Sequence, residues 1–182
     1  MQKKTDKRTR LIDAADKLFY EQGVNITTLA NIAALAEVPL GNVYYYFKSK
    51  ESIILAVIEQ RQRMLRHQFE QWSTLSPVEQ LKALIQQHVA QGAQAMAFGD
   101  WFGSLCQELC KGQGPIASAA SELLSNILGW SEKQFQAMGK GEQSKALSVA
   151  LIASLQGLSL LTLTLKDENL SAAQAQRLMN NL

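Results

Sequence analysis

The chain has 182 residues, of which 47% are hydrophobic and 19% charged, with a formal net charge of +2 at neutral pH. That length accommodates one or two small domains with a real core, and the composition excludes a disordered, collagenous or disulfide-stapled chain. The small net charge hides an asymmetry: residues 1–66 carry 11 Lys and Arg against 7 Asp and Glu, and the rest carry 7 against 9.

The first ten residues are polar and basic, after which Leu11, Ile12, Ala15, Leu18 and Phe19 recur at helical spacing until Gly23 offers a stop. Lys3, Lys4, Lys7, Arg8 and Arg10 can serve either as a solvated basic end or as phosphate contacts. Thr28, or Thr27 before it, can cap a second helix whose apolar face is Leu29, Ile32, Ala33 and Ala36. Pro39 suits the first turn of a third helix. At about 100° per residue, Val43 and Phe47 share its buried side, while Gly41 and Tyr45 point the other way. Tyr46 is expected to be more buried than Tyr45. Two short helices about a tight turn, the second with an exposed Gly/Asn/Tyr face, describe a helix-turn-helix.

A long helix is expected from Glu51 to about Trp72, with Ile54, Val57, Ile58, Leu65, Phe69 and Trp72 on one side. Arg61, Arg63 and Arg66 on it read as a solvated face. Pro77 starts another helix that runs to about Met96. The stretch from Phe98 to Pro115 breaks the pattern with Gly99 and Gly103. Helices are then expected from Pro115 to about Met138, from Glu142 to Lys166 and from Ser171 onward. With no alternating β-branched runs, the fold class is all-α, about nine helices in all. Three form a head over 1–47 and six a body over 48–182. The basic balance of residues 1–66 and the mildly acidic balance of residues 67–182 suit a nucleic-acid-binding part joined to one with another task.

Residues Ala146 to Leu165 are uncharged and long enough to span a bilayer. Their Ser, Thr and Gln side chains favour a subunit interface instead, where Ala150, Ala153, Ser154 and Gly157 allow close helix approach. Cys106 and Cys110 are the only cysteines. Together with the absence of a signal-peptide pattern they fit a cytoplasmic protein with reduced thiols. Their four-residue spacing is poor for a disulfide; they read as small core residues, with a redox or electrophile sensor at Cys106 as the sharper alternative. His67 and His88 show no metal-ligand spacing. No Gly-rich phosphate loop or Gly-x-Ser-x-Gly elbow is present, so neither a metal, a cofactor nor an enzymatic activity is expected. A helical small-molecule-binding protein or enzyme without DNA affinity is the rival class.

The stretch from Thr28 to Glu51 resembles the DNA-binding domain of the TetR family of bacterial transcriptional regulators. The resemblance rests on Thr28, Leu29, Ile32, Ala33, Ala36, Val38, Gly41, Asn42, Val43, Tyr44, Tyr46, Phe47, Lys50 and Glu51. Glu37 stands where the family usually has Gly, which leads to the expectation of a differently shaped turn. Pro39 and Leu40 replace a common hydroxyl–basic pair. The resemblance implies a DNA-binding surface of Thr28, Leu40, Gly41, Asn42, Tyr44, Tyr45, Lys48 and Lys50. In it Asn42 and Tyr45 read bases, and Thr28, Tyr44, Lys48 and Lys50 hold phosphates. It implies a homodimer through the last two long helices, with Leu123, Ile127, Ala150, Ala153, Ser154, Gly157 and Leu161 at the interface. It also implies a body pocket for an apolar or aromatic effector, for which Trp72, His88, Met96, Phe98, Trp101, Phe102, Cys106 and Trp130 are the candidate lining. The partners implied are a palindromic double-stranded operator, the effector and a second copy, with no membrane, and the place of action is the cytoplasm at the nucleoid. The function implied is that of a repressor released by its ligand.

Overall fold

A computed structural model of the chain describes residues 6–167 and 169–182. Lys3 and Lys4 lie outside the described residues. The chain divides into two compact units: one holds the chain up to Met64 together with Ser104–Ser121, the other holds Leu65–Gly103 and Glu122–Leu182. The first contains the whole of residues 6–47 and adds segments from further along the chain.

Unit 1 begins with α1 (Lys7–Gln22), which buries Leu11, Ile12, Ala15 and Phe19. It closes where Gly23, at φ 88°, donates its N–H to Phe19 O. Helix α2 (Leu29–Leu35) opens on a reciprocal cap: Asn31 N–H donates to Thr28 Oγ1 at 3.1 Å, and Thr28 N–H donates to Asn31 Oδ1 at 2.9 Å. Two of the donors that a helix N-terminus leaves orphaned are thereby satisfied.

The end of α2 answers the question raised by Glu37. Val38 N–H reaches Ala33 O at 3.0 Å and Glu37 N–H reaches Ala34 O at 3.1 Å. These are the two hydrogen bonds of a Schellman motif, and Glu37 takes the left-handed conformation, φ 52°, usually given to glycine. The expected change of turn shape is therefore absent. The turn keeps the glycine geometry and carries a backbone penalty of about 1–2 kcal/mol. Burial of Val38 beside Ala33, 4% exposed each, works in the opposite direction.

Helix α3 (Leu40–Tyr46) has Pro39 as its N-cap, one position earlier than the first turn. Phe47, in extended backbone, ends it. Helix α4 (Lys50–Trp72) contributes its first part to unit 1 and buries Ile53, Ile54, Val57 and Ile58. Arg61 departs from the solvated face expected for it: its guanidinium grips Asp16 of α1 through both carboxylate oxygens, at 2.9 and 2.6 Å. The remaining parts of unit 1 come from α7 (Trp101–Leu109) and the start of α8 (Pro115–Ala137).

In unit 2, α5 (Pro77–Ala90) opens on a Ser76–Glu79 capping box with Pro77 in the first turn. The single helix expected to reach Met96 is divided. Helix α6 (Gly92–Phe98) starts afresh after Gln91, with Gly92 at φ 25°, outside the helical basin. Gly99, φ 81°, closes α6, and Asp100 then caps α7. Gly103 was expected to break the chain but lies inside α7. A Cβ there would overlap the side-chain amide of Gln156, so glycine serves a close approach. Helices α9 (Ser144–Leu165) and α10 (Asn169–Asn180) complete the unit; α10 packs on α5 and α9, and α6 on α9. Its core is Leu65, Leu81, Leu84, Ile85, Ile127, Phe135, Leu151, Ile152, Leu155 and Ala175.

Candidate nucleic-acid interface and body cluster

Helix α3 is anchored from beneath by Val43, 0% exposed, and Phe47, 3% exposed. The helical period then turns Leu40, Gly41, Asn42, Tyr44 and Tyr45 outward, all of them exposed. Tyr45 is 79% exposed, and its ring meets that of half-buried Tyr46 edge-on at 5.0 Å. Gly41 has no atom within 4 Å of where a Cβ would stand. Nothing inside this chain requires glycine there, although in a helix interior it costs about 0.5–1 kcal/mol relative to alanine.

The basic side chains of unit 1 are mostly held by the chain itself. Lys48 Nζ donates to Tyr44 O at 3.1 Å, and Lys50 Nζ to Asn25 O at 3.3 Å. The Arg8 guanidinium sits 5.3 Å above the Phe47 ring, a cation–π distance. Arg10 Nη2 donates to Glu37 O at 3.1 Å. Thr28 Oγ1 is committed to its cap and also donates to Asn31 Oδ1 at 2.6 Å. The Ser49 hydroxyl bonded to Glu51 leads the causes that hold its carboxyl below the ordinary value, with Lys50 adding to them.

Sequence reasoning missed the group that holds the α1–α2 turn. Glu108 of α7 accepts Val24 N–H at 2.8 Å through Oε2 and Asn25 N–H at 2.6 Å through Oε1. A carboxylate far along the chain that binds backbone donors has no local pattern to announce it.

The candidate pocket residues fall in both units. Trp72 and Trp130 come together in unit 2, ring centroids 5.8 Å apart, around Phe69, which stacks on Trp130 at 4.1 Å with planes 3° apart. Phe69 had been read only as part of a packing face. Trp101 and Phe102 meet edge-on at 5.4 Å. Met96 O accepts Lys166 Nζ at 2.7 Å, and Phe98 is half-buried. Cys106 belongs to unit 1, where its buried thiol donates to Ala120 O at 3.0 Å. Cys110 is the exposed thiol. Access, which a sensor needs, falls on Cys110 and not on Cys106.

His88 sits instead in a polar cluster whose other members, Asp100, Gln156 and Ser159, sequence reasoning did not assign to a site. His88 Nε2 and Ser159 Oγ are 2.7 Å apart. Asp100 Oδ1 accepts Gly103 N–H at 2.6 Å and Gln156 Nε2 at 2.9 Å. Burial lowers the His88 pKa below its ordinary value, against the opposing pull of Asp100 and of a hydrogen bond with the Leu155 backbone. The order Ser159–His88–Asp100 is that of a nucleophile, a base and an acid. However, His88 Nδ1 lies 3.9 Å from Asp100 Oδ2, beyond hydrogen-bond reach, and Ser159 is buried. The cluster caps α7 and ties α5 to α9. The one signal available was Asp100 between Gly99 and an apolar helical run, an N-cap pattern. Among the described residues no group of three His, Cys, Asp or Glu is placed to hold a metal ion.

On α9, Ala150, Ala153, Gly157 and Leu161 are exposed and Ser154 is half-buried. Leu160, 61% exposed, Leu165 and Val149 extend this uncharged face. Leu123 and Ile127 of α8 are 0% and 6% exposed, already spent on their own unit. The two α8 residues that the resemblance assigned to the interface therefore face inward.

Residues 11–57 match the family model of bacterial regulatory proteins of the tetR family. Over 52 residues the chain is 42% identical to the transcriptional regulator TtgR of Pseudomonas putida, which covers 29% of this chain and 25% of that protein. It is 37% identical over 51 residues to the regulator QacR of Staphylococcus aureus, 28% of this chain and 27% of that one. These matches span about a quarter of the relatives' length. A longer match, 89% of both chains at 25% identity, is to the regulator LmrA of Bacillus subtilis. The fold is shared with a TetR regulator from Legionella pneumophila, at TM-score 0.88 and 19% identity over 100% of this chain and 98% of that one. It is also shared with reduced NemR of Escherichia coli, at TM-score 0.78 and 18% identity over 96% of each. Residues 11–57 of this chain are thus similar to the bacterial regulatory proteins of the tetR family, and the chain as a whole shares the fold of TetR regulators.

Proposed function

We propose that the chain is a DNA-binding transcriptional regulator, a repressor that grips a palindromic operator as a homodimer and releases it on binding a small molecule. The observation that carries this reading is the α3 face: Val43 and Phe47 hold it from below, while Tyr45 and a Gly41 that the fold does not need are exposed. A glycine without an internal reason suits the close approach of a partner's backbone. Asn42 and Tyr45 read base edges in the major groove, and Thr28, Leu40 and Tyr44 flank them. Lys48 and Lys50 exchange their carbonyl partners for phosphate oxygens, a charge-assisted gain.

Residues 1–47 are assigned to DNA and 48–182 to sensing and dimerisation. The second copy covers the uncharged α9 face, and two α3 helices then stand roughly 34 Å apart, one duplex turn. The span Gly141–Leu165 is long and apolar enough to cross a membrane. Its Ser148 and Thr162, however, are buried and hydrogen-bonded to Leu128 O and Ser171 within unit 2, which favours a packed helix. The effector is an apolar or aromatic molecule held among the Phe69, Trp72 and Trp130 rings. A switch from 1:99 to 99:1 requires roughly 5.5 kcal/mol of differential binding. The site of action is the cytoplasm.

The test is selection of bound fragments from source genomic DNA at two salt concentrations. Recovery of a shared two-fold symmetric sequence is the expected result; recovery no better than a random competitor overturns the reading. On the recovered site, Lys50→Ala should weaken all sequences alike with a shallower salt slope, and Asn42→Ala should relax base preference.

A further inference from the structure

For Arg10 the sequence leaves open a solvated basic end or a phosphate contact, and the structure gives it a different task. Its Nη2 donates across 27 positions to the carbonyl of Glu37, the residue held left-handed at the end of α2. Its Nε is buried and makes no hydrogen bond, while the side chain as a whole is half-buried. Around it stand Asp13, Lys17, Leu35, Ala36 and Glu37, which line one shallow depression with it. Asp13 accepts from Gln60 and Lys17 pairs with Glu21, while the Glu37 carbonyl accepts from Arg10.

The Glu37 backbone is also where the path to α3 is decided. Within the Schellman closure its N–H is used and its carbonyl accepts from Arg10, and Pro39 and α3 follow directly. With glycine at position 37 the left-handed turn would stand without support. With glutamate it is strained, and a neighbour that binds its carbonyl holds it in place.

We propose that Arg10 is a positioning residue for DNA recognition: by clamping the Glu37 carbonyl it sets the angle at which α3 leaves the turn, and it contacts no phosphate itself. This rests on the reading that α3 enters the major groove. A phosphate ligand and a turn clamp differ in two measurable ways. A phosphate ligand contributes about one unit to the slope of log affinity against log salt. A clamp contributes nothing to that slope, and its loss is repaired by removing the strain it opposes.

The experiment compares full-length wild type, Arg10→Ala, Arg10→Lys, Glu37→Gly and the Arg10→Ala/Glu37→Gly double variant on the recovered operator at several salt concentrations. Arg10→Ala should weaken operator binding about tenfold, the scale of coupling between residues in contact, with an unchanged salt slope and a reduced preference over random DNA. Arg10→Lys, which keeps the charge but not the planar fork, should lose most of the same affinity. In the Glu37→Gly background the Arg10→Ala loss should fall to about twofold or less. A slope shallower by about one unit, or an equal loss with Glu and with Gly at position 37, overturns the proposal.

Amide hydrogen exchange without DNA provides a second readout. Arg10→Ala and Arg10→Lys should speed exchange at Val38 N–H while the Ile85 and Leu151 amides hold their wild-type rates; an unchanged Val38 rate overturns the clamp. If wild type selects no DNA while the Val38 rate responds, the functional reading has failed and the clamp stands.

Discussion

Glu108 and Val24 are separated by 84 positions in the chain, and the carboxylate of one accepts the backbone N–H of the other at 2.8 Å. The second oxygen takes the next amide, Asn25, at 2.6 Å. One side chain thus satisfies two successive donors of the α1–α2 turn, and Lys50 satisfies the Asn25 carbonyl from the other side. Val24 is 3% exposed, so water is a poor substitute for its share. Glu108→Ala should therefore destabilise the protein by about 1–3 kcal/mol. Glu108→Gln, which keeps an acceptor oxygen but loses the charge, should cost about half as much. Urea denaturation of both variants checks this; midpoints equal to wild type would show that the contact contributes nothing.

Two glycines should behave in opposite ways. Gly23 has φ 88°, and a Cβ there would lie 3.2 Å from Glu108 Oε2, so Gly23→Ala combines backbone strain with crowding and should cost about 1–2 kcal/mol. Gly41 has an open surround in a helix, so Gly41→Ala should raise stability by about 0.5–1 kcal/mol. On the proposed function it should at the same time weaken operator binding. Thermal unfolding and DNA titration of the same two variants separate the effects. Parallel loss of stability and binding at Gly41 would contradict the open face.

The buried imidazole of His88 predicts a pH dependence. Burial lowers its pKa in the folded state below the unfolded value of 6.5. As pH falls below about 6.5 the unfolded chain takes up the proton first, so stability that is fully present above that pH declines as the solution is acidified towards the folded pKa. Glu51 and Glu79, also lowered from 4.5, act in a more acid range. Denaturation midpoints measured between pH 7.5 and about 5 should fall for wild type and stay nearly flat for His88→Gln. Equal slopes for the two would remove His88 as the cause.

The two helices assigned to the dimer should respond differently to charge. Leu161, 50% exposed, faces outward from α9, so Leu161→Glu should leave the fold intact, yield monomers and abolish operator binding. Leu123 is fully buried, so Leu123→Glu should unfold unit 2 outright, at a cost above about 4 kcal/mol. Sedimentation and circular dichroism distinguish the two outcomes. A Leu161→Glu protein that sediments as wild type would place the interface elsewhere.

What the amino-acid order determined by itself is everything that depends on near neighbours. The stripe of Leu11, Ile12, Ala15 and Phe19, the Thr28 and Ser76 caps and the Val43–Phe47 anchor of α3 involve residues within a turn or two of one another. Their geometry follows from helical period and side-chain reach. Contacts between distant segments decided the rest. Glu37 could keep a glycine's backbone because the Schellman bonds, Val38 burial and Arg10 hold it there. Lys50 and Arg61 became intramolecular partners, Gly103 made room for Gln156, and Leu123 turned inward. A backbone amide or carbonyl has the same chemistry at every position in a sequence, so only the folded chain shows which side chain reaches it.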